Sequence, residues 1–189
     1  MTDSDDTSAE LFVRLYYNIY LFLVQDYYKR TGESLKSYKE YEPDYLKKIY
    51  NHYTDKNTII DQASSLASNL IIIQALPNAN HRTAFLFIKY YFKKHGINMK
   101  IYSEEQKAYD AFYEVSKFFI EREINHYQLF NNAYMDVHHD QAIREHKQHM
   151  KTLMKQIVCV PQSGIRTVES FHSFVASINQ EGSLPFENH

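Results

Sequence analysis

The sequence predicts an all-α fold, a helical bundle around a central helix at about residues 81–95, with at most a short β-hairpin. Three observations carry this. Apolar residues recur at three- and four-residue spacings through nearly every segment, for example Ile60, Ala63, Leu66, Leu70 and Ile73. The whole chain holds only 4 Gly and 4 Pro, and most of them punctuate the periodic stretches. The stretch HRTAFLFIKYYFKKH is apolar nearly all round, and a helix with so little polar face belongs at the centre of a bundle.

Taken in order, Thr7 and Glu10 read as a capping box ahead of LFVRLYYNIYLFLVQDYYKR, which gives a first helix over about 8–30 that Gly32 can end in the left-handed region. The polar stretch TGESLKSYKEYE reads as a loop or a short hairpin near residues 31–42. Pro43 suits the first turn of a second helix, PDYLKKIYNHY. Asn57 is the expected cap of a third helix, which Pro77 stops. Asn78 or Asn80 is the expected cap of the fourth, which Gly96 closes behind basic residues that complement the helix dipole. After an extended INMKIY, Ser103 and Gln106 suggest another capping box and a fifth helix to about Glu123. A short helix near 126–134 and a charged one through HHDQAIREHKQHMKTLMKQ follow. Pro161 to Gly164 reads as a linker, and Thr167 as the start of a last helix ending at Gly182.

The expected organisation is an acidic tail over 1–7, a helical domain over 8–160, and a C-terminal linker and helix over 161–189. With 189 residues the chain can bury a sizeable core, and 44% hydrophobic against 23% charged residues is ordinary globular usage. A formal net charge of -2 supplies no electrostatic reason to expect a nucleic-acid partner. The single cysteine, Cys159, rules out an internal disulfide, and between Val158 and Val160 it reads as a small buried hydrophobe. The acidic start MTDSDDTSAE is unlike a signal peptide, and no apolar run approaches the roughly 20 residues that span a bilayer. The expectation is a cytoplasmic protein without a membrane partner.

The stretch QALPNANHRT, residues 74–83, breaks two apolar helical patterns with a tight turn that opens a helix. Unpaired backbone N–H groups and the positive end of the helix dipole converge at such a start, which favours an anion. Arg82, one turn in, adds a planar fork able to grip phosphate oxygens in two places. This stretch resembles the motif of the Fic and Doc proteins, the fido fold, whose pattern is H-x-F-x-(D/E/N)-(G/A)-N-(G/K)-R-T. Asn78, Ala79, Asn80, Arg82 and Thr83 match, and the Ala and His81 lie closer to the Doc branch. The likeness covers roughly residues 8–135.

The resemblance implies a nucleotide, ATP or another with Mg²⁺, held by its phosphates on the N-terminus of the fourth helix. The family reaction is transfer of AMP or phosphate to a hydroxyl of a target protein that the sequence does not identify. Arg82 and Thr83 belong to the phosphate-binding motif, with the amides of Ala79, Asn80 and His81 as the anion hole. Asn78 takes the metal-ligating position with a neutral amide oxygen, a weaker Mg²⁺ ligand than a carboxylate. Gln74 takes the place of the catalytic His. An amide cannot accept the proton that a positioned base accepts, a contribution of about 10²–10⁴-fold, so the expectation is weakened or lost transfer. Phe85 stands where Fic enzymes carry a second Arg.

His81, at the mouth of the anion hole, is a candidate proton acceptor, although a plain replacement for the family's Lys or Gly is the leading reading. His138, His139, His146 and His149 lie on a charged stretch and read as a solvated face rather than a metal site. Ser177, Glu181 and Gly182 fit the inhibitory S/T-x-x-x-E-G/N pattern of C-terminally regulated Fic proteins. The competing function is a catalytically inactive protein-interaction module, a toxin–antitoxin partner or a dimerisation domain, and self-association is left open.

Overall fold

The computed structural model describes residues 3–99, 109–114, 141–159 and 169–179, and these are almost wholly helical. The helices are α1 (Asp3–Thr31), α2 (Pro43–His52), α3 (Ile59–Ile73), α4 (Asn80–Lys94), a helical segment α5 (109–114), α6 (Gln141–Ile157) and α7 (Phe171–Asn179). Strands β1 (Asn98–Met99) and β2 (Val158–Cys159) pair antiparallel, Asn98 opposite Cys159 and Met99 opposite Val158. The all-α expectation holds, and among the described residues this strand pair is the only sheet. No helix among them is long and apolar enough to cross a membrane.

Several element ends fall elsewhere than the sequence predicts. Helix α1 begins at Asp3, so Thr7 and Glu10 lie inside it instead of capping it; neither Gly nor Pro precedes them to stop the helix. Its end follows the expectation, with Gly32 at φ 74° donating its N–H to Tyr28 O at 2.8 Å. Thr58, not Asn57, caps α3 by accepting the Asp61 N–H at 3.1 Å. Ser170 caps α7 through the Ser173 N–H at 3.0 Å, while Thr167, the expected start, lies outside the described residues. At α3 the side chain adjacent to the first buried apolar residue, Ile59, takes the cap. No strand forms over 31–42; the segment runs instead alongside residues 75–77.

Helix α4 lies at the centre as expected, packed against α1, α3 and β1, with Phe87, Tyr91 and Phe92 fully buried. It keeps a partly wet stripe through Arg82, Leu86, Lys89 and Lys93. Helix α3 is the more enclosed of the two: every residue except Asp61 is buried, including Gln62, Ser64, Ser65, Ser68 and Asn69. Its partner on the far side is α6, the helix whose histidines read as a solvated face. That reading fails for His146, which is 1% exposed with Nδ1 2.6 Å from Ser68 Oγ. The reason is amphipathicity: Ile143, His146, Met150, Leu153, Met154 and Ile157 share one face, and that face covers α3. His149 stays exposed, while His138 and His139 lie outside the described residues, as do the fifth helix before 109, the helix near 126–134, the Pro161–Gly164 linker and the Cys159 side chain. Helix α7 joins the same core through Phe171, Phe174, Val175 and Ile178.

Candidate functional site

The turn of the motif is built by two residues in the left-handed region. Gln74 ends α3 at φ 49° ψ 48°, and Ala79 precedes α4 at φ 52° ψ 22°. Neither expected Asn is the cap of α4. Asn80 is its first residue and turns its amide backward, accepting the Leu76 N–H at 2.9 Å and donating to Leu76 O at 3.0 Å. This reciprocal pair does for the loop what a strand partner would do, and it holds buried Leu76 in the core. A left-handed Ala costs roughly 1–2 kcal/mol. Ala79→Gly is therefore expected to raise stability by about 1 kcal/mol, seen as a higher urea midpoint at unchanged slope; a drop would show that the Ala79 methyl contributes packing that outweighs the backbone strain.

No side chain caps the start of α4, and the first bond of its ladder runs from Thr83 N to Ala79 O at 2.9 Å. The amides of Asn80, His81 and Arg82 thus precede the ladder, at the positive end of the dipole. They border a cleft of about 640 Å³ that Gln74, Asn78, Ala79 and Arg82 also line. Across it lie Lys36, Tyr38 and Lys39 of the 32–42 segment, and Tyr109, Asp110 and Tyr113 of α5. The segment is tied to the motif by Tyr38 N to Pro77 O at 3.0 Å, Glu42 N to Ala75 O at 2.9 Å, and Asn78 Nδ2 to Lys36 O at 3.2 Å. Lys39 is paired with Glu42.

Of the expected site residues, Gln74, Asn78, Ala79, Asn80, His81 and Arg82 border one cavity. Arg82 is exposed, its guanidinium 5.4 Å from the centre of the Tyr109 ring and also hydrogen-bonded to the Tyr109 hydroxyl. Asn78 is 6% exposed, and its Oδ1 is buried without a hydrogen-bond partner, although the Tyr20 hydroxyl also faces the amide. A neutral, unpartnered oxygen fits the position that a hard cation or a ligand hydroxyl takes. Among the described residues no group of three or more His, Cys, Asp or Glu is placed to hold a metal by itself.

Thr83 is fully buried, and its hydroxyl donates to Ala79 O at 3.0 Å, so it fastens the turn and does not face the cleft. Ser177 bonds its own helix, Oγ to Phe174 O at 2.8 Å, where α7 packs on the Tyr91 and His95 end of α4; Glu181 and Gly182 lie outside the described residues.

His81 is neutral near pH 7, since burial pushes its pKa down from 6.5 to about 4. Its ring meets Tyr113 edge-on at 5.0 Å, and its Nε2 is buried without a partner, turned away from solvent. Burial first, then the charges of His81, His149 and Lys147, push His146 down to about 3. Both imidazoles bind protons less readily folded than unfolded. Their stabilising contribution is complete above pH 6.5 and is lost as pH falls from there towards 4 and 3, by at most about 1.4 kcal/mol per pH unit each. Urea midpoints at pH 7 and pH 5 are expected to differ by roughly 2–4 kcal/mol in favour of pH 7; equal midpoints would contradict the burial of both rings.

Lys36, Tyr38, Tyr109 and Tyr113 were not legible as site residues, because the 32–42 segment carries no periodicity and α5 reaches the cleft only through tertiary packing. No curated protein matches the chain, and no solved structure does. One family model does match, over residues 1–123, a span that includes the whole motif and every residue lining the cleft. The chain belongs to that family, the family of unknown function DUF8172.

Proposed function

We propose that the protein binds a phosphate-bearing nucleotide at the N-terminus of α4, as its resemblance to the Fic and Doc proteins implies. Transfer of AMP or phosphate to a protein hydroxyl is weakened or lost. The observation that carries the reading is the convergence, on one cleft, of the unladdered amides of residues 80–82, the exposed Arg82 fork and the unpartnered Asn78 Oδ1. Mg²⁺, where it accompanies the phosphates, takes Asn78 Oδ1 as a neutral ligand, with the remaining oxygens from phosphate and water. Gln74 borders the same cleft, in the family's base position, and cannot accept a proton.

Titration calorimetry with ATP and Mg²⁺ should give saturable binding, while labelled ATP incubated with the protein and a lysate should leave little or no covalent label. Absence of any binding would overturn the reading. Robust transfer would overturn its claim about Gln74.

A second reading, a protein-interaction module, is favoured by the exposed Tyr38, Tyr28 and Leu21, of which Tyr38 is 80% accessible beside the cleft. On that reading Tyr38→Ala weakens partner capture and leaves nucleotide binding unchanged.

A further inference from the structure

The cleft at the start of α4 continues into a second chamber of about 300 Å³. The two share Leu35, Ala79, Arg82 and Tyr109, so Arg82 and Tyr109 stand at the divide. Beyond the divide the lining changes character. Leu23, Phe85 and Leu86 stand in its walls, and among the described residues the further cation there, Arg30, is paired with Asp26 at 2.8 Å. Phe85 meets Tyr109 edge-on, with ring centres 6.0 Å apart. A chamber with Leu23, Phe85, Leu86 and Tyr109 in its walls, opening onto the start of α4, suits a ligand with a planar ring at one end and phosphate at the other.

Charge limits how much phosphate that ligand carries. Lys36 and Arg82 face the first chamber, whereas Lys39 is already paired with Glu42 and Asp110 adds a negative charge. One phosphate brings about −1.5 to −2 at pH 7, which the helix end with Lys36 and Arg82 can balance. Among the described residues a second or third phosphate meets no cation beyond the ion-paired Lys39 and Arg30, and one turn along α4 from Arg82 the chain presents Phe85. We infer that the ligand is a nucleoside monophosphate, its phosphate on the α4 amides, Arg82 and Lys36, and its base in the chamber walled by Leu23, Phe85 and Leu86. This rests on the phosphate-binding reading above and narrows it. The buried, unpartnered Asn78 Oδ1 at the first chamber is left to accept a hydrogen bond from a ligand hydroxyl.

The test is calorimetric titration of the full chain with AMP, ribose 5-phosphate and ATP, each without metal, and with geranyl monophosphate as an aliphatic competitor. AMP should bind at least tenfold tighter than ribose 5-phosphate and at least as tightly as ATP. Leu86→Trp, at a half-buried position that fills the chamber, should erase the advantage of AMP while ribose 5-phosphate binds as before, with an unchanged helical spectrum. Equal affinity for AMP and ribose 5-phosphate, tighter binding of ATP, displacement of AMP by sub-stoichiometric geranyl monophosphate, or an AMP advantage that survives Leu86→Trp would each overturn this inference alone. If none of the phosphate compounds binds, the phosphate-binding reading falls, and this inference with it.

Discussion

Arg82→Ala is expected to weaken nucleotide binding by about 10- to 100-fold, because a hydrogen bond to a charged group contributes about 1.5–3 kcal/mol and a bidentate fork lies at the upper end. Stability should change by less than about 0.5 kcal/mol, since the side chain is exposed and its contacts are the ring and hydroxyl of Tyr109 at the surface of the cleft. The two readouts together distinguish a ligand-binding Arg from a structural one. Arg82→Lys keeps the charge and loses the planar fork, so it should recover only part of the affinity. A variant that binds as the parent does would remove Arg82 from the site and contradict the phosphate-binding reading.

Phe12→Ala should cost about 3–5 kcal/mol of folding stability, a large share of the roughly 5–15 kcal/mol that domains possess. Phe12 is fully buried where four helices meet: its ring lies 5.7 Å from Phe87 of α4, 5.2 Å from Phe171 of α7, 6.1 Å from Tyr50 of α2 and 6.2 Å from Tyr16 of its own helix. Truncation removes the transfer energy of the ring and leaves a cavity that four rigid partners cannot close. A urea midpoint shift worth less than about 1 kcal/mol would mean that α7 does not pack on α1 and α2 as described.

The helices were legible because the apolar spacing survives everywhere along the chain, and Gly32, Pro43 and Gly96 sit where their backbone preferences place them. Caps were less legible. Thr58 and Asn57 are adjacent and equally suited by type, and only the position of the first buried residue, Ile59, decides between them. At the motif the residues singled out in the sequence border one cleft, apart from Thr83, and some of their local tasks differ from the expectation. Asn80 was read as a cap, yet both ends of its amide are taken by Leu76, and Thr83 proved to be a fastener of the turn. Whether a polar side chain faces a ligand or its own backbone depends on the local dihedrals, here the left-handed Ala79, which side-chain type alone does not reveal. His146 was misread for a related reason: a charged composition hid an amphipathic face whose burial only the packing against α3 discloses.

Whether an anion binds at the start of α4 can be read from amide NMR during titration with inorganic phosphate. Saturable downfield shifts are expected, confined to the backbone N–H groups of Asn80, His81 and Arg82, with the Arg82 side-chain Nε–H moving alongside them, and none of these shifts in Arg82→Ala at the same phosphate concentrations. Shifts that cluster on Lys56, Arg144, Lys147 and Lys151, which line a separate cleft of about 240 Å³, while the α4 amides stay still, would contradict anion binding there.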